Sequence, residues 1–283
     1  MPAACVLQAS SKQTETMNLQ QLCQNANIIV RRVGAFIKRE ANNFDRGKVE
    51  LKGFNNLVSY VDKEAEQQLV EALRELLPEA GFITEEETDS TKGERFNWII
   101  DPLDGTTNFT HGLPFFSVSV ALLDKDEVVL GIVYEVNKDE CFYATKGGGA
   151  FLNDNPIKVS EAKALKDSLI ATGFPYYEFG LTQQYLQVLG SFMSKSHGVR
   201  RLGSAALDLA YVAVGRFEGF FEFNLNAWDV AGGAIIVQEA GGHVSKFSAG
   251  GDYVFGREIV ASNGTIHQEM LDTIAEHWKE QLP

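Results

Sequence analysis

The chain has 283 residues, of which 45% are hydrophobic and 22% charged, as in a globular protein of one large domain or two of ordinary size. Its 25 Lys and Arg against 38 Asp and Glu give a net charge of −13, which disfavours nucleic-acid and membrane-surface binding because both rely on clustered cations. Three cysteines without C-x-x-C spacing, no signal-peptide pattern and no apolar run of ~18 residues predict a cytoplasmic protein with reduced thiols.

Two helices are predicted before Pro78. Residues 1–16 are small and polar without periodicity, and we expect them to be disordered. Apolar residues at helical spacing predict helices over 19–40 and 63–77. Asp62 stands at the N-cap position of the second helix, so capping is the simplest interpretation of its carboxylate.

A short strand is predicted at 81–84, and it runs directly into Glu85, Glu86 and Glu87. Three adjacent glutamates usually form a solvated loop. Here, however, the run leaves a strand in the same way as Asp101 leaves the next predicted strand. If the two strands are neighbours, Glu85 and Asp101 converge, which favours a metal site.

The most informative stretch covers 97–116, N-W-I-I-D-P-L-D-G-T-T-N-F-T-H-G-L-P-F-F. Its first apolar residues are typical of the end of a buried strand, and Asp101 and Asp104 follow directly. Pro102 between them fixes its own φ and lacks an N–H, so we expect a sharp turn that brings the two carboxylates together. Carboxylates held that close repel each other, and a hard divalent cation relieves the repulsion.

Backbone N–H groups of Gly105, Thr106 and Thr107 are expected beside that cation, which suits a phosphate group. For D-P-L-D-G-T-T taken alone, an ordinary surface turn with Asx-type contacts is the simpler interpretation. A calcium loop is a third interpretation, although the alternating acidic spacing of an EF-hand is absent.

Further strands complete the first half of the chain, and strands alternate with helices in the second. Predicted strands cover 117–123, 128–134, 140–145, 168–172, 199–202 and 218–223, and predicted helices cover 182–194 and begin at 203 and 228. The K-G-G-G run at 146–149 is predicted to be a hairpin turn rather than a phosphate loop. Asp229 is predicted to cap the last of these helices.

The histidines are scattered, and H-E-x-x-H and G-x-S-x-G are absent, which gives zinc and serine hydrolases little support.

Two motifs, W-I-I-D-P-L-D-G-T-T-N-F at 98–109 and W-D-V-A-G-G at 228–233, together resemble the inositol monophosphatase family. L-V-S-Y-V-D, I-T-E-E, K-G-G-G-A-F-L-N, G-S-A-A and F-F-E fall in the family's order, so the resemblance covers nearly all of 19–270. It implies a layered α-β-α-β-α sandwich of the inositol monophosphatase and fructose bisphosphatase type, commonly dimeric. The expected division is an α+β half at 17–155 with the metal motif and an α/β half at 156–283 with substrate contacts and the last metal ligand.

The resemblance also implies roles for individual residues. The implied ligands of two or three Mg²⁺ ions are Glu85, Asp101, the backbone carbonyl of Leu103, Asp104 and Asp229. The implied catalytic residues are Asp62, Thr106 and Glu85, the first two orienting and helping to deprotonate the attacking water. The implied substrate-binding residues are Gly105 and Thr106 for the phosphate, and Gly203, Ser204, Ala205, Glu222 and Asp229 for the alcohol.

The implied activity is Mg²⁺-dependent, Li⁺-sensitive hydrolysis of inositol monophosphate or a related small polyol phosphate by a homodimer. Relatives that cleave nucleotide bisphosphates, histidinol phosphate or fructose bisphosphate share the metal motif, although T-T-N-F after Gly105 favours the inositol phosphatases. A non-catalytic accessory protein of the transcription machinery is the alternative from another class. Two residues depart from the family's pattern, since Thr84 stands where the family often has Gly and Ser59 where it usually has Thr. Glu86 is the alternative to Glu85 as a metal ligand. The N-L-N run at 224–226 has no evident role.

Overall fold

Two amphipathic helices form the first layer of the computed structural model, which describes residues 18–44, 47, 50–53, 56–175 and 179–279. The expected disorder of residues 1–16 lies outside the described residues. Helix α1 (Leu19–Ala41) has Asn18 as its N-cap residue, whose side chain accepts from the N–H of Gln21, and helix α2 (Tyr60–Leu76) packs beside it. Both bury one apolar face, so the two helical predictions are confirmed.

The predicted N-cap role of Asp62 is wrong. Helix α2 begins at Tyr60, its N-cap residue is Ser59, and Ser59 Oγ accepts from the N–H of Val61. Asp62 is instead the third helical residue, and its carboxylate accepts from the N–H of Ser59 at 2.9 Å. This arrangement is a capping box. In it the side chain of the N-cap serine accepts from a backbone N–H of the first turn, and the side chain of the acidic third residue accepts from the backbone N–H of the serine.

The second layer is a seven-stranded sheet in the order β3 to β9, and a separate hairpin of β1 (Glu50–Gly53) and β2 (Asn56–Val58) precedes it. Its strands are β3 (Gly81–Thr84), β4 (Phe96–Asp104), β5 (Ser117–Asp124), β6 (Glu127–Glu135), β7 (Glu140–Thr145), β8 (Gly149–Leu152) and β9 (Asn155–Pro156). Strand β3 is parallel to β4, and the other neighbours are antiparallel. The predicted meander and the K-G-G-G hairpin are therefore confirmed.

The sharp turn predicted at Pro102 is wrong. Strand β4 continues through Pro102 to Asp104, and only its register against β5 changes, since Asp101 pairs with Ser119 and Asp104 with Ser117. Pro102 and Leu103 of β4 thus lie opposite the single residue Val118 of β5, which is a bulge. Proline has no N–H to donate to the hydrogen bonds between strands, and it is tolerated at a bulge because those hydrogen bonds are interrupted there.

The third layer contains α5 (Ala205–Ala213) and α6 (Ala227–Glu239), which pack on each other and lie between two sheets. All nine residues of α5 and nine of the thirteen residues of α6 are buried, as expected for helices covered on both sides. Their buried side chains join the two sheets in one apolar cluster, which includes Val133 from the first sheet and Phe220 from the second.

The fourth layer is a five-stranded sheet in the order β11-β10-β12-β14-β13, and the fifth contains α4 and α7. The elements are β10 (Leu169–Thr172), α4 (Thr182–Lys195), β11 (Gly198–Arg200), β12 (Gly219–Phe223), β13 (His243–Ser245), β14 (Glu258–Ser262) and α7 (His267–Ala275). The five layers form the α-β-α-β-α sandwich that was expected.

None of the helices in the described part of the chain has the length and apolarity needed to cross a membrane. The division into halves at residue 155 stays a prediction.

Candidate metal centre and substrate cavity

A cavity of about 510 Å³ opens where the ends of β3 and β4 meet the beginnings of α3 (Thr106–His111), α5 and α6. Most of the residues expected at the site line this cavity, namely Glu85, Glu86, Asp101, Leu103, Asp104, Gly105, Thr106, Gly203, Ser204, Ala205, Glu222 and Asp229. Asp62 lies behind Thr106 and is fully buried. The fold therefore brings together residues from four of its layers.

Three carboxylates lie at the floor of the cavity. One oxygen atom each of Asp101, Asp104 and Asp229 lies within 4.8 Å of the others. Glu85 lies beside them because β3 and β4 are parallel neighbours and Thr84 pairs with Ile100. The predicted neighbourhood of Glu85 and Asp101 is confirmed.

The electrostatics of the three aspartates fit a cation. Burial, and then the charges of Glu85, Asp104 and Asp229, raise the pKa of Asp101 well above its usual range. Burial raises the pKa of Asp104 to about 6 and, with the charge of Asp104, that of Asp229 to about 7. Concentrated negative charge on oxygen atoms alone is the donor set that Mg²⁺ prefers.

Each aspartate is held by backbone N–H groups near a helix or strand end. Asp104 Oδ2 accepts from Ser204 Oγ at 2.6 Å and from the N–H of Ala206 at 2.8 Å, at the start of α5. Asp101 Oδ1 accepts from the N–H of Leu103 at 2.9 Å. These hydrogen bonds fix the carboxylates in place without neutralising them.

The predicted N-cap role of Asp229 is also wrong. Helix α6 begins after Asn226, and Asp229 is its third residue, accepting from the N–H of Asn226 at 2.6 Å. The unexplained N-L-N run thereby gains a role, since Asn226 precedes the helix. Asn224 takes a φ of +65°, and its side chain accepts a hydrogen bond from Arg257.

Thr106 joins the cavity to the buried Asp62. Thr106 Oγ1 lies 2.9 Å from Asp62 Oδ1 and 3.0 Å from the carbonyl oxygen of Leu103. Ser59 Oγ donates to the other oxygen of Asp62 at 2.6 Å. Burial raises the pKa of Asp62, and the hydrogen bonds from Ser59 and Thr106 oppose that rise. Asp62 is thus a carboxylate with an increased affinity for a proton.

Gly105 makes the transition from β4 to α3. Its φ of +101° lies in the region that favours glycine, and an added Cβ would come within 3.1 Å of Phe115 O and 3.2 Å of Gly203 O. Asn108 of the same short helix donates to Leu202 O at 2.8 Å. The D-G-T-T-N segment is therefore attached to the loop before α5.

Two further charged residues, Arg201 and Asp208, line the cavity near Glu222, and the sequence did not indicate them. Burial raises the pKa of Glu222, and the charge of Arg201 opposes that rise. Asp208 Oδ1 is buried without a hydrogen-bond partner among the described residues. Asp208 reads as an ordinary position within a helix and Arg201 as part of a strand end, so no sequence signal identified them.

Gly173 is a further missed residue, and it explains how Glu222 reaches the cavity. A Cβ on Gly173 would lie 1.9 Å from Glu222 Oε1, so only glycine leaves room for the carboxylate. Because the two residues lie on neighbouring parallel strand ends, their contact depends on the register of β10 and β12.

Comparison with known proteins agrees with this geometry. The model of the inositol monophosphatase family matches residues 18–281. The chain is 42% identical over 253 residues to the inositol-1-monophosphatase of Rhizobium meliloti (88% of this chain, 95% of that protein). It is 40% identical over 254 residues to the Nus factor SuhB of Escherichia coli strain K12 (89% and 95%). The crystal structure of the extragenic suppressor protein suhB of Bartonella henselae superposes with a TM-score of 0.85 at 38% identity, over 92% of this chain and 99% of that one.

Proposed function

Because the chain belongs to the inositol monophosphatase family, we propose that it is a Mg²⁺-dependent phosphomonoesterase acting on inositol monophosphate or a related small polyol phosphate. The observation that carries the proposal is the group of Asp101, Asp104 and Asp229, whose oxygens lie within 4.8 Å, with the Thr106–Asp62 pair beside it. No Ser or Cys nucleophile motif offers another route to hydrolysis.

The proposed metal ligands are Glu85, Asp101, the carbonyl oxygen of Leu103, Asp104 and Asp229, around two or three Mg²⁺ ions. Bound ions of this kind acidify water and neutralise charge on the phosphoryl group and the leaving oxygen. Glu85 is preferred to Glu86 because its carboxylate is close enough to raise the pKa of Asp101. In this role Glu85 contributes to catalysis as well as to metal binding.

Thr106 and Asp62 are proposed to orient and deprotonate the attacking water. If Thr106 donates its single proton to Asp62, its oxygen is left to accept a hydrogen bond from water. A proton can then pass from water to Thr106 and from Thr106 to Asp62. The raised pKa of Asp62, caused by burial, makes that carboxylate a better base.

The rest of the cavity is proposed to bind the substrate. Backbone N–H groups of Gly105 and Thr106 would hold the phosphate. The alcohol would contact Gly203, Ser204, Ala205, Glu222 and Asp229. Ser204 Oγ donates its proton to Asp104 and accepts from the N–H of Leu207 and from Ser117 Oγ, so Ser204 would contact the substrate through its backbone. The carboxylates of Glu222 and Asp229 suit a polyol, because its hydroxyl groups are hydrogen-bond donors.

The test is a phosphate-release screen over inositol, sugar and nucleotide phosphates, histidinol phosphate and fructose bisphosphate with Mg²⁺. We expect highest kcat/KM for an inositol or sugar monophosphate, complete loss of turnover in excess EDTA and recovery with added Mg²⁺. Li⁺ is expected to inhibit. Full activity in EDTA would exclude the metal mechanism, and preference for a nucleotide or histidinol phosphate would assign the chain to another substrate of the superfamily.

A second candidate function is supported by the relative named Nus factor SuhB, which is 40% identical. The chain would then bind transcription machinery as an accessory protein. Affinity purification from native cells, with wild-type protein and with Asp104→Asn, separates the two: capture of transcription proteins by both supports the accessory role. A homodimer in the cytoplasm is part of the main proposal, and sedimentation and cell fractionation test it.

A further inference from the structure

A buried carboxylate on α2 holds the loop that carries the three consecutive glutamates. Glu66 is 0% exposed. Its Oε2 accepts from the backbone N–H of Glu86 at 2.8 Å, and its Oε1 accepts from that of Thr88 at 2.8 Å. Hydrogen bonds to an ionised carboxylate are stronger than those to a neutral acceptor. Both oxygens of Glu66 are therefore engaged by one loop.

Two features of the loop itself oppose the conformation that it adopts. It leaves β3 at Glu85, beside Asp101, so like charges face each other across the strand ends. Glu87 within the loop has a φ of +55°, in the left-handed region that a glutamate rarely adopts. Repulsion and an unfavourable backbone both favour other loop conformations, so tertiary contacts must stabilise this one.

Helix α2 contacts both sides of the metal centre. Asp62 and Glu66 are four residues apart and therefore lie on the same helix face. Asp62 accepts the hydroxyl of Thr106, and Glu66 accepts the N–H groups of the loop that follows Glu85. One rigid helix thus sets the separation between the glutamate loop and Thr106.

We propose that Glu66 is a positioning residue that holds Glu85 beside Asp101 before any metal binds, so that the centre is preformed in the metal-free protein. Glu66 is not among the described residues that line the cavity, so it would act only through the loop. The inference rests on the function proposed above, because it takes Glu85 as a metal ligand. Residues that orient metal ligands typically change metal affinity by ~10–100-fold when mutated.

The test is Glu66→Gln, which keeps the side-chain shape, removes the charge and replaces one acceptor by an NH₂ group facing an N–H. In the metal-free variant, the amides of Glu86 and Thr88 should exchange hydrogen faster than in the wild type. Calorimetry should show Mg²⁺ binding weakened by ~10–100-fold. Phosphatase activity should be lost at limiting Mg²⁺ and regained as Mg²⁺ is raised, a signature that a purely structural role would not produce.

Glu135→Gln is a matched control. Glu135 is also 0% exposed, and its carboxylate accepts from the N–H groups of Asn137 and Lys138 in the β6–β7 loop, outside the cavity lining. The control should speed exchange at Asn137 and Lys138 and leave Mg²⁺ affinity unchanged. Equal weakening of Mg²⁺ binding by both variants would assign the effect to general destabilisation and overturn the proposal.

Unchanged exchange at Glu86 and Thr88, or unchanged Mg²⁺ affinity, in Glu66→Gln also overturns it. If that variant does not fold, Glu66→Asp keeps the charge but withdraws the acceptors, and the same two measurements apply. Rapid exchange of the Glu86 and Thr88 amides in the wild type would overturn it without any variant. Failure of the proposed function looks different, because the wild type itself would then neither bind Mg²⁺ nor release phosphate.

Discussion

Thr106 and Asp62 are 44 positions apart in sequence and meet through one hydrogen bond of 2.9 Å. Thr106→Ala removes this contact but no proposed metal ligand. We expect kcat to fall by ~10²–10⁴-fold, the usual contribution of general-base assistance, while KM and Mg²⁺ affinity change little. Steady-state kinetics with Mg²⁺ calorimetry measures both.

Asp62→Asn should resemble Thr106→Ala, and the double variant should lose far less than the product of the two losses because the pair acts as one unit. Thr110→Ala is the control, since Thr110 belongs to the same helix but donates its hydroxyl to Thr107 O. Wild-type kcat in Thr106→Ala, or losses that multiply in the double variant, would refute the proposed water-activating pair.

Glu222 is the residue expected to select among substrates. Glu222→Gln should weaken discrimination between inositol and sugar phosphates, since a lost hydrogen bond costs ~0.5–1.5 kcal/mol and more when charged. Gly173→Ala should have the same effect because its Cβ would displace the carboxylate. Ratios of kcat/KM across the substrate panel measure the change.

Gly180→Ala is the control for that experiment, because a Cβ at Gly180 meets nothing within 4 Å. It should leave the ratios unchanged. If Glu222→Gln and Gly173→Ala also leave them unchanged, Glu222 does not contact the substrate. Mg²⁺ affinity should stay near the wild-type value in all three variants, since none removes a proposed ligand.

At the scale of elements, the ends of β13 and β14 are joined to the start of α7 by His267. Ser245 Oγ donates its only proton to Lys246 O at 2.9 Å. The same oxygen lies 2.9 Å from His267 Nε2 and must accept there, so Nε2 carries a proton. His267 Nδ1 then accepts from Ser262 Oγ, also at 2.9 Å. Neutral His267 satisfies every partner, and a protonated ring would not.

Burial, with a smaller effect of neighbouring His243, lowers the pKa of His267 from 6.5 to about 4. The unfolded chain therefore binds a proton more readily than the native one between these values, and stability is lost as pH falls through that range. The loss is about 2–3 kcal/mol. Urea unfolding at several pH values measures it.

His267→Gln should be less stable at neutral pH but lose less stability than the wild type as pH falls from 6.5 to about 4. Exposed His197 supplies the control, His197→Gln, which should keep the wild-type pH profile. An identical pH profile in wild type and His267→Gln would show that His267 does not cause the dependence.

At the scale of the whole molecule, the proposed metal centre connects layers that apolar packing also joins. Asp101 and Asp104 belong to the first sheet, Asp229 belongs to α6, and Ser204 of the loop before α5 holds Asp104. A ligand that binds only the native state at 100 times its Kd stabilises it by about 2.7 kcal/mol. We therefore expect saturating Mg²⁺ to raise Tm by several degrees.

Thermal unfolding in Mg²⁺, against Na⁺ at equal ionic strength, measures this stabilisation. Asp104→Asn should be inactive, bind Mg²⁺ weakly and lose the rise in Tm. Asp124→Asn should keep the rise, because Asp124 pairs with Arg95 at the other end of the strand pair. A rise in Asp104→Asn equal to that of the wild type would place the stabilising ion elsewhere.

The sequence by itself determined the helices and strands whose residues repeat at a clear period, and the two long motifs that indicated family and fold. Those signals are local, or are carried by residue identity, so they can be read without coordinates. The convergence of Glu85 and Asp101 depended on whether β3 and β4 are neighbours, which the sequence left open. The structure shows that they pair in parallel.

Only the tertiary structure decided how the site is supported. The bulge at Pro102 depends on the partner strand, and the N3 positions of Asp62 and Asp229 depend on where each helix begins. The contacts of Glu66 with the glutamate loop and of Gly173 with Glu222 join residues that are far apart in sequence. Such contacts leave no periodic or local trace, because their energy exists only once separate elements have packed together.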